Sequence, residues 1–266
     1  MKMPKLEPKT ARPRSVLVAS DRLYMRIAQD SNSVALLEDL DALVVPLKRE
    51  PVLNEEYVSD VRDLLEQSNQ LASGSLLIKN PYDRDSYELA ENAMGAFASA
   101  KYHALANAAR LLGATEVHFV EAKLETTRST WAADLKARFS PGGGDASATN
   151  EVKQKLKEQL EGRLTFPGSA PAPDEALSFL ASRYLSHDQQ MKDLVQMRTG
   201  DHNLVTTYVM KMSGTRESES NFRSALNIAN AGPVKALDIG ASFSKTAESV
   251  KDIEIVTEIL FETPKK

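Results

Sequence analysis

The C-terminal 60 residues constrain the fold of this chain more than any other segment. Between Leu204 and Phe261, three stretches place their apolar residues on alternate positions. These residues are Phe222, Leu226 and Ile228; then Leu237, Ile239, Ala241 and Phe243; then Ile253, Ile255, Ile259 and Phe261. A period of two is typical of a strand with one buried face. Together with the apolar run that follows Leu204, the pattern predicts four successive strands.

A long alanine-rich helix is the second strong signal. Asp85-Ser86-Tyr87-Glu88 resembles a capping box, and Gly113 stands where a helix C-terminal glycine is expected. Nine alanines lie between Ala90 and Ala109, so other elements can approach this helix closely on several faces. We expect a central, mostly buried helix, with a tight contact at Gly95. Its predicted core stripe is Met94, Phe97, Ala98, Leu105, Ala108 and Leu112.

Strands and helices alternate in the first 80 residues. Ser15–Ala19, Ala42–Leu47 and Leu76–Ile78 are short apolar runs, and Asn54–Gln70 has the apolar spacing of a helix. Further along, Glu116–Thr126 and residues 130–139 predict a strand pair. A glycine-rich joint follows at 141–144, and residues 150–198 are predicted to be helical.

These elements predict an α+β fold. A long Ala-rich central helix packs on a largely antiparallel sheet, and a helical segment is inserted between strand groups. The predicted organisation is a disordered basic tail at 1–14, an N-terminal α/β part at 15–140, a linker and helical segment at 141–200, and a four-strand part at 201–262 that forms one domain with 15–140. A rival architecture makes residues 15–120 a small α/β layer with a parallel sheet.

Composition and charge limit the classes of function. The chain has no cysteine, which excludes disulfides, thiolate catalysis and Cys-based metal sites. Its formal charge is −4; the first 14 residues carry +4, so the remaining 252 carry −8. An acidic body argues against a broad nucleic-acid footprint. With no signal peptide and no 18-residue apolar stretch, we expect a cytoplasmic protein.

Catalytic signals are weak. No Walker loop, GxGxxG, GxSxG or HExxH motif occurs in the sequence. His187-Asp188 and Asp201-His202 flank one predicted helix, which makes His187, Asp188 and His202 weak candidates for a metal or acid–base site. Glu121-Ala122-Lys123 matches half of a nuclease core, but the same acid-x-Lys pattern recurs at Glu7 and Glu151 in other contexts. We predict no cofactor and no bound metal.

Amphipathic strands are the better lead to function. The candidate membrane- or partner-facing positions are Trp131, Leu135, Phe139, Leu237, Ile239 and Phe243. Strands of nine alternating residues can cross a bilayer in a barrel, but a water-soluble sheet packed on helices produces the same pattern.

Three classes of function follow from the sequence. The leading hypothesis is a non-enzymatic binding or assembly protein that acts through a sheet edge or the helical segment, with a protein partner or a second copy. The alternatives are a membrane-active or pore-forming effector that uses its amphipathic strands, and a metal-dependent hydrolase or nuclease.

Overall fold

A computed structural model describes residues 12–48, 55–125, 154, 156–199, 205–249 and 252–262. The chain divides into two compact units, each built from segments that are distant in sequence. The first unit comprises residues 1–80, 84–91 and 220–244, and the second comprises residues 81–83, 92–219 and 245–266. The domain boundaries predicted at residues 140 and 200 lie outside the described residues.

The main elements, in chain order, are β1 (Ser15–Ala19), α1 (Asp21–Gln29), β2 (Ala42–Pro46), α2 (Glu55–Gln67), β3 (Leu76–Lys79), β4 (Tyr87–Leu89), α3 (Ala90–Leu111), β5 (Ala114–Glu125), β6 (Arg163–Thr165), α4 (Pro173–Ser182), α5 (Gln189–Met197), β7 (Thr207–Ser213), α6 (Glu219–Ala229), α7 (Gly232–Lys235), α8 (Ala241–Ser249) and β8 (Asp252–Phe261). Short 3₁₀ turns occupy Val34–Leu37 and Arg216–Ser218.

The first unit contains a mixed sheet with the strand order β2-β1-β3-β4. β1 and β2 run parallel, whereas β3 and β4 join antiparallel. Val16 and Val18 on one face of β1 belong to the core that also holds Val61 and Leu65 of α2. On the opposite face, the hydroxyls of Ser15 and of Ser224 in α6 lie 2.6 Å apart. Helices on both faces explain why every residue of β1 is buried.

The second unit contains an antiparallel sheet with the order β6-β5-β8-β7. The central strand β8 pairs with β5 on one side and with β7 on the other. Its alternate residues Ile253, Ile255 and Ile259 are fully buried, which confirms the period-two pattern for this stretch.

The alanine-rich helix α3 packs on this sheet. The Tyr102 ring meets Phe119 of β5 edge-on, with ring centroids 6.2 Å apart. The helix ends before Gly113, which has a φ of +86°. A Cβ at Gly113 would collide with the carbonyl oxygen of Ser169, so this position needs glycine twice over. The predicted α+β class, with a central helix on a largely antiparallel sheet, is confirmed.

Two of the four C-terminal strands were predicted wrongly. The stretch predicted as a strand from Phe222 to Asn230 lies in helix α6 up to Ala229, and Leu237–Lys245 is a turn followed by α8. In α6, the buried residues Phe222, Ala225, Leu226 and Ala229 also have helical spacing, and a short apolar run does not distinguish the two periods. In the turn, Asp238 and Gly240 both have positive φ values, which no strand accommodates. The rival architecture predicted a parallel sheet in the N-terminal part. In the first unit, the pair β1–β2 is parallel, whereas β1–β3 and β3–β4 are antiparallel.

Smaller corrections concern boundaries. Helix α3 begins at Ala90 rather than after a cap at 85–86, because Tyr87–Leu89 pairs with β3 as β4. Within the segment predicted as helical, Arg163–Thr165 forms the short strand β6, while α4 and α5 are helices as predicted. The predicted strand at 130–139 and the glycine-rich joint lie outside the described residues.

Candidate interaction edge

Strand β7 forms one edge of the sheet in the second unit. Its seven residues pair with β8 in a continuous antiparallel register from Thr207 to Ser213. The opposite edge strand, β6, has three residues. β7 is therefore the longer of the two edge strands in the described part of this sheet.

The phase of the ladder shows which backbone groups of β7 point away from the sheet. The amide of Phe261 donates to the carbonyl of Thr206, and the amide of Gly214 donates to the carbonyl of Ile253. In an antiparallel pair, hydrogen-bonded residues alternate with non-hydrogen-bonded ones. Residues 208, 210 and 212 consequently bond to β8, whereas the N–H and C=O groups of 207, 209, 211 and 213 point outward.

The outward groups at the middle of this edge are open. Across the described ranges, the main-chain groups of Val209 and Lys211 make no hydrogen bond outside the β8 ladder. The Val209 residue is 54% exposed. Natural edge strands are commonly blocked by a proline, a bulge or several charges. β7 carries one charged residue, Lys211, and its register contains no shift.

The inward side chains of β7 are held by the core. Met210 and Met212 are buried. Burial raises the pKa of the Tyr208 phenol, and the nearby charge of Asp193 in α5 raises it further. The strand thus combines an inner face fixed by packing with an outer edge that no described strand pairs with.

A buried charge cluster fixes the chain just after β7. Lys101 of α3 is 1% exposed, and its Nζ lies 2.8 Å from both Asp188 Oδ2 and Glu217 Oε1. The Tyr82 hydroxyl donates to Glu217 Oε2 at 3.0 Å. We call Lys101, Asp188, Glu217 and Tyr82 the Lys101 cluster. Because Glu217 follows β7 by four residues, this cluster ties the C-terminal end of the edge strand to α3.

Local structure places each member of the Lys101 cluster. Asp188 is the N-cap of α5, and its other oxygen accepts the Met191 amide at 3.1 Å. Glu217 lies in the 3₁₀ turn Arg216–Ser218. Burial raises the pKa of Tyr82 well above its ordinary value, and the adjacent charge of Glu217 raises it further. The phenol therefore stays protonated and acts as a hydrogen-bond donor to the carboxylate.

Two further contacts hold the same end. Asp252 Oδ1 accepts the hydroxyls of Ser213 at 2.7 Å and Thr215 at 2.6 Å. At Gly214, a Cβ would stand 2.8 Å from the Ala98 Cβ. The backbone of β7 thus leaves the sheet in direct contact with α3, at a position where any side chain would push the two apart.

Arg198 fixes the N-terminal end of the edge strand. Its Nε donates to the Leu112 carbonyl at 3.1 Å, and its Nη1 donates to the Val205 carbonyl at 2.9 Å. The guanidinium carbon lies 4.2 Å from the centre of the Phe261 ring. Burial lowers the pKa of Arg198, but a guanidinium remains charged in proteins. β7 is therefore anchored at both of its ends.

The structure describes two of the three predicted catalytic residues. Asp188 belongs to the Lys101 cluster, His187 is exposed beside it, and His202 lies outside the described residues. Glu121 and Lys123 form an exposed ion pair of 2.6 Å on β5. Within the described ranges, no group of three or more His, Asp or Glu side chains is arranged to hold a metal ion.

The predicted strand positions are also placed differently. Trp131, Leu135 and Phe139 lie outside the described residues. Leu237 is exposed just after α7, and Phe243 is buried in α8 against Phe222. Ile239 lies in the turn before α8, so none of these last three residues is on a strand. Among the described helices, none is long and apolar enough to span a bilayer.

Sequence reasoning missed Lys101, Glu217, Tyr82 and Arg198. One signal was available for Lys101. It lies four residues after Phe97 and four before Leu105, so it falls on the predicted core stripe of α3. A lysine on such a stripe requires buried anionic partners. Those partners come from distant segments that the sequence does not connect.

Searches against protein-family models, curated proteins and solved structures found no match to this chain.

Proposed function

We propose that this protein is a non-enzymatic binding or assembly protein that captures an extended strand along the edge of β7. The observation that carries the proposal is an edge strand with outward main-chain groups that the described chain leaves unbonded. Strand addition uses such groups as its source of affinity, and alternate side chains provide specificity. A captured strand would become the fifth strand of the sheet.

The anchoring of β7 supports this function. A binding segment that is already ordered avoids much of the entropy cost of association. Arg198 at one end, and the Lys101 cluster and Gly214 at the other, hold the strand in its extended shape. Met210 and Met212 fix its rotation, so the outward groups keep their direction before a partner arrives.

The outward side chains suggest what kind of strand fits. Thr207, Val209, Lys211 and Ser213 share one face of β7. Val209 offers an apolar contact to the captured segment. Lys211 offers an apolar stem and a positive charge, so an apolar or an acidic residue is favoured at the position opposite it. The chain's lack of cysteine is in keeping with a cytoplasmic setting, which we also propose.

The membrane alternative has lost part of its basis. It relied on strands at 222–230 and 237–245, and these stretches are helices α6 and α8 with a turn before α8. The hydrolase alternative relied on His187 and His202. His187 is an exposed residue next to Asp188, the N-cap of α5, and His202 lies outside the described residues. No specific observation favours either alternative over strand capture.

A proline substitution at one position tests the proposal. Val209→Pro removes an outward N–H and leaves the β8 ladder intact, because residue 209 does not bond to β8. Proline is tolerated in edge strands at such positions. Val209→Ala is the matched control, since it removes similar apolar surface and keeps the N–H.

The assay is retention of phage-displayed random peptides on immobilised protein. We expect peptides that are enriched on the wild type and on Val209→Ala to be lost on Val209→Pro, with circular dichroism unchanged in all three. Capture at this edge would be contradicted if Val209→Pro retained the same peptides as the wild type. It would also be contradicted if the wild type enriched no peptide and the native mass of Val209→Pro equalled that of the wild type.

A further inference from the structure

The same edge strand also indicates a specific partner, and this inference rests on the proposed function. We infer that the strand captured by β7 is the β7 of a second copy of this chain, which pairs antiparallel about a two-fold axis at Met210. The two four-stranded sheets then join into one continuous sheet across the dimer.

The hydrogen-bonding phase restricts the allowed registers. Outward groups of one strand must meet outward groups of the other, so odd-numbered residues pair with odd-numbered residues. A two-fold axis at Met210 pairs Thr207 with Ser213 of the second copy and Val209 with Lys211 of the second copy. This register uses all seven residues of β7, whereas an axis at Val209 or at Lys211 pairs fewer.

Charge selects the same register. An axis at Lys211 would set two lysines directly opposite each other, which is destabilising. With the axis at Met210, each Lys211 lies opposite an exposed Val209. The residue beside Val209 on β8 is Glu258, in the same cross-strand row. Neighbouring strands are about 4.8 Å apart, so the ammonium of the second copy's Lys211 reaches over Val209 towards Glu258.

The side chains near the axis also fit. Val209 is 54% exposed in the single chain, and the pairing covers it with the aliphatic stem of lysine. A lysine stem packs on apolar surface while its ammonium stays hydrated. Glu258 thereby places a negative charge in the same row as the second copy's Lys211.

A charge-swap series tests this register. Val209→Lys places two lysines opposite each other at both symmetric positions, and we expect the dimer dissociation constant to rise about tenfold or more. Adding Lys211→Glu to that variant restores an opposite-charge pair, and affinity should return to at least the wild-type level. With an axis at Val209, the second substitution would give no rescue, because the two introduced lysine side chains would still face each other across the axis.

Cysteine cross-linking provides a second readout, and the natural chain contains no cysteine to interfere. We expect a mixture of Val209→Cys and Lys211→Cys chains to form a disulfide dimer under mild oxidation, while each variant alone does not. The paired Cα atoms would lie about 5.5 Å apart, within the range that a disulfide accepts.

Light scattering across about three decades of protein concentration completes the test. A concentration-dependent dimer that Val209→Pro abolishes, and that follows the charge-swap pattern, supports the inference. A monomer at every concentration that still retains peptides at the edge overturns self-pairing and leaves strand capture standing. A dimer that Val209→Pro leaves unchanged overturns self-pairing as well. If the wild type neither retains peptides nor forms a dimer that depends on Val209, the proposed function itself is contradicted.

Discussion

Replacing Lys101 with methionine tests the anchoring of β7 most sharply. Methionine keeps most of the side-chain volume, so the change removes the charge with little change in packing. It leaves Asp188 and Glu217 facing each other without the ammonium that lies 2.8 Å from each of them. Breaking a buried ion pair by removing one partner costs about 3–5 kcal/mol. Glu217 is 23% exposed and keeps the Tyr82 hydroxyl, so we expect the lower end, about 3 kcal/mol.

The assay is equilibrium unfolding in urea together with a thermal scan. For a chain of this size, about 3 kcal/mol corresponds to a fall in Tm of roughly 6–12 °C. Lys123→Met is the matched control, because Lys123 also forms a short ion pair, with Glu121, but on the exposed face of β5. That control should leave the unfolding midpoint unchanged.

A third variant separates lost charge balance from lost packing. Adding Asp188→Asn and Glu217→Gln to Lys101→Met removes the uncompensated charges, and stability should recover in part. If Lys101→Met unfolds like the wild type, or if the triple variant is less stable than the single one, the Lys101 cluster does not anchor the strand as argued.

Three further predictions concern α3 and its neighbours. Gly214→Ala should destabilise by about 1–3 kcal/mol in urea unfolding, because the new methyl overlaps Ala98 across a backbone contact; a neutral result would contradict the close approach. Gly95→Ala should stabilise by about 0.5–1 kcal/mol, since its Cβ would meet Leu156 at an ordinary 3.7 Å; destabilisation would show the tight contact that the sequence predicted. The pKa of Tyr82 is raised in the folded protein, so its full contribution to stability is present below the pKa of the unfolded chain, near 10. Above that pH, the free energy of unfolding falls by about 1.4 kcal/mol per pH unit. Tyr82→Phe should flatten that alkaline slope by one proton, and an unchanged slope would contradict the raised pKa.

Some periodic segments of the sequence identified their elements correctly, and others did not. The alternation of Ile253, Ile255 and Ile259 identified β8 correctly, and the alanine-rich run identified α3 to within a few residues at its N-terminus. The apolar positions of the stretch from Phe222 fit helical spacing as well as a period of two. The stretch from Leu237 alternates as clearly as β8, but Asp238 and Gly240 have positive φ values and form a turn there.

The candidate site could be predicted only in outline. A sheet edge was expected to bind a partner, but the identity of the edge depends on strand order, which the sequence does not encode locally. The Lys101 cluster draws one residue from α3, one from the cap of α5, one from a 3₁₀ turn and one from residues 81–83. Such groups are brought together by tertiary packing, so no spacing in the sequence reveals them.

Self-pairing through β7 limits how many copies of the chain can associate. An exposed edge that pairs with itself about a two-fold axis closes after two copies, because each chain uses its β7 once. A closed dimer, rather than a growing fibril, is therefore the expected product of association through β7.

Amide hydrogen exchange at β7, followed residue by residue by NMR, measures whether the outward amides of this strand are free to pair. In dilute protein, the amides of Tyr208, Met210 and Met212 should be protected by β8, while those of Val209 and Lys211 exchange fast. Protection of Val209 and Lys211 should appear as protein concentration rises, or when a retained peptide is added. If these two amides are as protected as Met210 in the most dilute sample, or stay unprotected with every partner, β7 is not an edge that captures strands.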